Sequence, residues 1–280
     1  VRKIAVLNND IITSSWDGKI CFSNYYSLKP VKILKDKNMG RCPYFNVTPD
    51  KRFLLSFTYD SDKIPGESGN VLRKWSLKTG KVLKNVKASD EMYSSCKSGA
   101  VLIHRNRIYT CSDSGYFRVF DGRTYDLIYN KPDGPNFRTM VSLFDYNYIL
   151  ASDWSGNIHF FNIRTNRFDG RIKSHNGDVY CVRRHPVIPD IVITSSSNGS
   201  IRFWKMPGFL EVNYIHTQKP DLWSMAFIND HLAVGNIDGE VMVYDISDPG
   251  NVHYKGKISL SQHSFVEQPV NSNLFFTNNK

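Results

Sequence analysis

Eight histidines, five cysteines and 26 acidic residues are the side chains of this 280-residue chain that could move protons, attack carbon or bind metal. Their spacing argues against all three. His104, His185 and His216 have neither an i, i+4 partner nor a carboxylate companion suited to a metal. Cys21, Cys42, Cys96, Cys111 and Cys181 are scattered and odd in number, without CxxC spacing or a local histidine, which fits a reducing intracellular compartment, cytoplasmic or nuclear. Gly115 and Gly156 each follow a serine in a tight turn instead of opening a helix, so no phosphate-cradling loop is present. A nucleophile elbow and a pair of carboxylates in matched sequence surroundings are also missing. The sequence reads as non-catalytic, with no cofactor and no metal. Asn46-Val47-Thr48 and Asn198-Gly199-Ser200 match the glycosylation acceptor but would go unused inside a cell.

What does recur is a turn. Asp17-Gly18, Ser68-Gly69, Ser114-Gly115, Ser155-Gly156, Asn198-Gly199 and Asp238-Gly239 each separate two apolar, β-rich stretches, at steps of 51, 46, 41, 43 and 40 residues. Asp, Asn or Ser followed by Gly supplies the positive φ that a two-residue hairpin connection needs. The strands after the turns alternate, as in Ile201-Arg202-Phe203-Trp204 and Val241-Met242-Val243-Tyr244-Asp245, which is the pattern of a half-buried strand. A period near 40 to 45 residues with four strands per period is a propeller blade.

At this point the chain resembles the WD40 family. The strongest copy runs from Ser174-His175-Asn176-Gly177-Asp178-Val179, where the family has Gly-His and its turn, through Ile193-Thr194-Ser195-Ser196-Ser197-Asn198-Gly199 to Trp204-Lys205 in the place of Trp-Asp. The resemblance implies a structural tetrad of His175, Ser195 (or Ser196), Asn198 in place of the family's acid, and Trp204, and it makes His175 structural. Ser23-Asn24, Trp75-Ser76, Phe120-Asp121, Phe161-Asn162 and Tyr244-Asp245 hold the Trp-Asp place elsewhere. The implied fold is all-β, a seven-bladed WD40-type β-propeller forming a single domain over 1–280. Its blades span approximately 1–38, 39–90, 91–134, 135–175, 176–218 and 219–262, with a partial seventh over 263–280. That seventh begins with Phe265-Val266 and reaches its turn near Asn278-Asn279-Lys280. Half a blade would expose unpaired backbone groups, so the sequence is expected to be a fragment, the alternatives being that outside segments or a partner supply the missing strands. Tyr59 to Ser68 forms an extended polar turn in the second blade.

In WD40 propellers the turns between second and third strands share a face with the starts of the first strands, and the resemblance implies that face as the partner platform. Trp16 and Trp154 stand just before two of the turns. Arg2, Arg138, Tyr180, Trp223 and Phe265 fall at one recurring position of the first strands. Together they form an expected partner-binding arc from blade 4 round to blade 1, rich in the residue types that dominate interface energetics. Ser15-Trp16-Asp17-Gly18 and, less closely, Asp153-Trp154-Ser155-Gly156 are similar to the turns of checkpoint and mRNA-export propellers whose tryptophans clamp a peptide. A protein-interaction scaffold or adaptor follows, for example a substrate receptor or a subunit of a larger complex, gripping a protein or an acidic or phosphorylated linear motif. The net charge of +10 and pI near 9.3 keep open an RNA-associated subunit of a ribonucleoprotein. Hydrophobic residues are 41% of the chain, enough for a sizeable core, yet no apolar run approaches the roughly 18 residues of a membrane span. The first residues lack a signal-peptide pattern, and the chain reads as a soluble protein.

Overall fold

Alternating strands closed by glycine turns should stack as short antiparallel sheets, and the computed structural model contains six of them among its described residues. It describes residues 3–36, 39–60, 69–87 and 99–259. Blade 1 is β1 (Lys3–Leu7), β2 (Asp10–Ser14), β3 (Ile20–Asn24) and β4 (Pro30–Leu34). Blade 2 is β5 (Arg41–Val47), β6 (Phe53–Asp60), β7 (Gly69–Ser76) and β8 (Val82–Lys87). Blade 3 is β9 (Gly99–His104), β10 (Arg107–Ser112), β11 (Phe117–Asp121) and β12 (Leu127–Lys131). Blade 4 is β13 (Phe137–Leu143), β14 (Tyr148–Asp153), β15 (Asn157–Asn162) and β16 (Arg167–Lys173). Blade 5 is β17 (Val179–Arg184), β18 (Ile191–Ser196), β19 (Ser200–Lys205) and β20 (Leu210–His216). Blade 6 is β21 (Leu222–Ile228), β22 (His231–Asn236), β23 (Glu240–Asp245) and β24 (His253–Ser259). Within each sheet the strands follow chain order. The expected seventh blade, with Phe265, lies outside the described residues, as does most of the polar turn after Tyr59 and Asp60.

The chain divides into two compact units, Val1–Met140 and Val141–Lys280, the division falling inside β13. In the first unit, Ile12, Ile20, Phe22 and Leu34 of blade 1 pack on Phe45, Leu54 and Trp75 of blade 2. Leu55, Phe57 and Leu72 of blade 2 pack in turn on Val101, Ile108 and Phe120 of blade 3. In the second unit, Leu143, Leu150 and Ile158 of blade 4 meet Val182, Val192 and Trp204 of blade 5. The other face of blade 5, through Ile193, Ile201 and Phe203, meets Leu222, Met225 and Val234 of blade 6. Both faces of an inner strand are therefore buried, each such side chain contributing about 1.5–3 kcal/mol.

The turn glycines have the expected handedness, with φ of 76° at Gly18, 85° at Gly115, 82° at Gly156, 78° at Gly199 and 76° at Gly239. The connections are longer than the two residues expected: three in blades 4, 5 and 6, with the glycine N–H of blades 5 and 6 donated to the last carbonyl of the second strand. This is the turn that ends in one left-handed residue. A second demand on these positions was not visible in the sequence. A Cβ at Gly156 would sit 2.1 Å from the carbonyl oxygen of His175, and one at Gly199 2.3 Å from that of Lys219, because each turn abuts the segment leading into the next blade. Gly69 departs from the pattern. It pairs with Asp60 as the first residue of β7, and β6 and β7 each run to eight residues.

Candidate functional site

The blade 5 motif forms one hydrogen-bonded chain with a single direction. The indole Nε1 of Trp204, which can only donate, donates to Thr194 Oγ1 at 2.9 Å. Thr194 Oγ1 lies 2.7 Å from His175 Nε2, His175 Nδ1 lies 2.6 Å from Ser200 Oγ, and the Ser200 hydroxyl donates to Asn198 Oδ1 at 2.6 Å. Every proton finds an acceptor when Thr194 donates to Nε2 and Nδ1–H donates to Ser200, which assigns the tautomer from the network. Burial is the main force on the imidazole and pushes its pKa down to about 3, with the nearby Arg202 charge adding to it. A ring held neutral this firmly cannot exchange protons near pH 7; it ties strands.

Ser195, expected in this set, is not part of it; Thr194 takes the place and Ser200 is an added member. Pleating explains the difference. Thr194 shares a face with Trp204 and points to blade 4, whereas Ser195, paired with Ile201, points to blade 6 and donates to the carbonyl oxygen of Leu222 at 2.9 Å. Ser152 does the same one blade earlier, donating to the carbonyl of Val179 at 3.0 Å. In blade 2, Trp75 keeps a reduced version of the motif, its Nε1 donating to Ser56 Oγ at 2.8 Å.

Around the starts of the first strands the structure gathers part of the expected arc. In β17 Val179 pairs with Ser196 and Cys181 with Ser195, leaving Tyr180 as the extra residue of a β-bulge; in β21 Leu222 pairs with Asn236 and Ser224 with Gly235, leaving Trp223 in the same position. The residues before the bulges, Val179 and Leu222, are fully buried, and the two aromatic rings come out half-buried. They stack nearly parallel, centroids 4.3 Å apart at 12°. The Tyr180 hydroxyl donates to Asp221 Oδ1 at 2.8 Å, and the Cys181 thiol to the carbonyl of Trp223 at 3.2 Å.

Trp154, also half-buried, rides a turn organised by a carboxylate the sequence reading did not use. Asp153 is buried and accepts from the amides of Ser155 and Asn157, the Asn157 side chain and His159 Nε2, each at 2.8 Å. Burial raises its pKa, but the His159 and Asn157 hydrogen bonds outweigh that and hold it below the usual carboxylate value. The Asp153–His159 pair looks like half of a catalytic dyad, yet both carboxylate oxygens are spent on the turn. That turn abuts the segment before β17: the amides of Ser174 and His175 donate to the carbonyl of Gly156 at 2.9 and 3.0 Å.

The other arc residues are placed differently. Trp16 is half-buried in the corresponding turn of the first unit, where Asp17 binds Lys19 at 3.2 Å. Arg138 follows the fully buried Phe137 and is itself buried, 7% exposed, so it does not offer the expected surface guanidinium. Arg2 and Phe265 lie outside the described residues. Among the described residues no three His, Cys, Asp or Glu side chains converge as a metal set, and no helix is long and apolar enough to cross a membrane.

Comparison with known proteins agrees with this geometry. The WD domain, G-beta repeat family matches residues 167–205, the segment that holds most of the blade 5 chain. Eukaryotic translation initiation factor 3 subunit I of Danio rerio is 24% identical over 199 residues, 64% of this chain and 59% of the relative. The GATOR2 complex protein WDR24 of Gallus gallus is 25% identical over 147 residues, 50% of this chain and 20% of the relative. The chain thus spans about three-fifths and one-fifth of the curated relatives it matches. A chain in a crystal structure of a mitotic checkpoint complex superposes with a TM-score of 0.77 at 12% identity, over 98% of this chain and 84% of that one, a likeness of fold. A repeat match over a blade with its hydrogen-bonded chain in place, five further sheets of the same strand order and a fold likeness over nearly the whole length support a place for this chain in the WD40-repeat β-propeller superfamily.

Proposed function

We propose that this chain is a non-catalytic interaction scaffold, an intracellular subunit of a larger assembly, that holds a segment of a partner protein on the face carrying the turns between second and third strands. The gripping residues are Trp154, Tyr180 and Trp223 in the second unit, with Trp16 at the corresponding turn of the first. The observation that carries this reading is the Tyr180–Trp223 stack: two bulged residues present adjoining rings that their own blades leave half-buried. Rigid aromatic surface of this kind is worth about 2 kcal/mol or more per residue once a partner excludes water from it. The relatives' names, a subunit of an initiation factor and a protein of the GATOR2 complex, support membership of a complex. The test is affinity purification of the chain beside a Tyr180→Ala, Trp223→Ala variant and a Trp16→Ala, Trp154→Ala variant, each checked for native circular dichroism. Loss of partners from the folded variants is expected. Full retention in both would show that the face is wrong.

One observation favours a second reading. The charge of +10, together with a relative named for translation initiation, fits an RNA-associated subunit. Titration of a labelled RNA at several salt concentrations decides it, since backbone recognition by lysine and arginine must weaken steeply with salt.

A further inference from the structure

At the junction of blades 2 and 3, the first unit contains a cleft of 420 Å³. Its walls are apolar: Phe53 and Leu55 from β6, Ile103 and Ile108 from blade 3, and Tyr125 from the turn between β11 and β12. Three cations line it, Arg52, Lys74 and Arg105, against one carboxylate, Asp50.

The cations are held there by distinct means. The Lys74 ammonium lies over the Phe53 ring at 4.2 Å and within 5.5 Å of the Tyr125 centroid. Lys84 approaches the same Tyr125 ring to 5.0 Å while donating to the Thr124 carbonyl at 2.7 Å. Arg52 is bound to Asp50 at 2.7 Å and lies over Phe53 at 5.4 Å. Arg105 stands exposed on the tight turn between β9 and β10. Asp121, which accepts the amides of Arg123 and Thr124 at 2.7 and 2.9 Å, is not among the residues that line the cleft. Like charges gathered beside apolar walls repel one another, and an anion relieves that repulsion.

This surplus is not a general property of blade junctions. The cleft between blades 4 and 5, 290 Å³, is lined by Tyr148, Phe160 and Met206 with one cation, Arg171, and one carboxylate, Asp169, the latter already bound by the Tyr148 hydroxyl at 2.7 Å.

We propose that the blade 2–blade 3 cleft is a binding site for an anionic linear segment of a partner protein, in which one aromatic or aliphatic side chain enters between Phe53, Ile103 and Tyr125 and a neighbouring phosphate or pair of carboxylates meets Lys74, Arg105 and Arg52. The dimensions favour peptide over nucleic acid, because the volume suits one or two side chains and the walls are side-chain apolar instead of an open basic track. The site uses residues of the first unit alone and does not depend on Trp154, Tyr180 or Trp223, so the two sites can fail separately.

The test is fluorescence anisotropy on the whole chain with three labelled heptapeptides, each having a central tyrosine flanked by two phosphoserines, two glutamates or two glutamines. An anionic peptide should bind and the glutamine peptide should not. Preference for phosphoserine assigns phosphate as the group recognised, and equal binding of the glutamate peptide assigns carboxylate. Arg105→Glu, on an exposed turn that leaves the fold intact, should weaken binding about tenfold, and Arg105→Glu with Lys74→Gln more, whereas Trp223→Ala should leave it unchanged. The proposal is overturned if neither anionic peptide binds, if the glutamine peptide binds equally or if Arg105→Glu binds as wild type. It is equally overturned if poly(U) displaces the peptide and shows the same dependence on Arg105 and Lys74.

Discussion

Lowering the pH from 8 to 5 should destabilise this protein, and His175 should account for an identifiable share of the loss. His175 titrates near 6.5 in an ordinary setting and about 3 in the fold, because burial removes water from the imidazolium and Arg202 repels it. Below pH 6.5 the unfolded chain therefore takes up a proton that the folded chain refuses. Stability is full above that value and falls as pH drops towards 3. At pH 5 the deficit is about 1.5 pH units, or about 2 kcal/mol, and it reaches about 4 kcal/mol if the fold survives to pH 3. Carboxylates do not confuse the upper part of the window. Glu240 and Asp50, both held down to about 2 by hydrogen bonds and ion pairs, lose their contribution only as pH falls through the ordinary carboxylate range near 4. His185, lowered mainly by burial despite its bond to the Ile246 carbonyl, acts in the same direction as His175, so a variant is needed to separate them.

That variant is His175→Gln, which keeps a donor and an acceptor but has no proton to gain. Urea unfolding followed by tryptophan fluorescence at pH 8 and pH 5 should show the wild type losing about 2 kcal/mol more than the variant across this interval. The His175 ring proton in an NMR titration should stay flat over the same range. Equal pH-dependent losses in the two proteins, or an NMR midpoint near 6.5, would refute the suppression of His175 protonation by burial.

Three further outcomes follow from the structure. Asn198→Asp places a charge one hydroxyl away from the imidazole, at the end of the Ser200 link, and should lift the His175 pKa by at least about one unit, read by NMR, and narrow the deficit at pH 3 by about 1 kcal/mol while leaving that at pH 5 nearly unchanged. Gly199→Ala meets both a φ of 78° and a backbone oxygen 2.3 Å from the new Cβ, and should cost more than about 2 kcal/mol in urea unfolding. Gly208→Ala, whose nearest neighbour is a leucine side-chain carbon at 3.4 Å, should stay within about 0.5 kcal/mol.

Much of the architecture was legible because its signals are local. A turn glycine announces its own φ, and an aromatic beside it in sequence stays beside it in space, as Trp154 does; Tyr180 and Trp223 were expected at one recurring position of the first strands, on the face that the WD40 resemblance implies. Parity was not legible. Thr194, Ser195 and Ser196 are three successive hydroxyls on one strand, and only the pleat decides which meets His175 and which reaches blade 6; the bulge at Tyr180 further blurs the register. Gly69 misled for a related reason, since Ser68-Gly69 has hairpin chemistry whether it lies in the turn or just after it. Arg138 shares its repeat position with Tyr180 and Trp223 but is buried, and spacing carries no information about that. The cationic cleft was invisible because Arg52, Lys74 and Arg105 come from three separate segments, which meet only when blade 3 stacks on blade 2.

The tethers between blades connect fold to function in the second unit. A bulge interrupts the strand ladder at its extra residue and so turns that side chain out of the sheet. Left alone, such a point would be loose. Here the preceding blade fastens it: Ser152 holds the carbonyl of Val179, Ser195 that of Leu222, and Cys181 that of Trp223. These are the carbonyls at or just before the bulged aromatics. The groups that lock one blade to the next therefore also fix the backbone from which Tyr180 and Trp223 project, and the ring stack bridges the same two blades. A surface prepared in this way has given up its flexibility during folding, so a partner that docks there does not have to supply the ordering itself. Divergence of the repeat elsewhere, where phenylalanine or tyrosine stands in the tryptophan place, leaves this arrangement untouched, because it depends on second-strand hydroxyls and first-strand bulges and not on the residues by which the repeat is recognised.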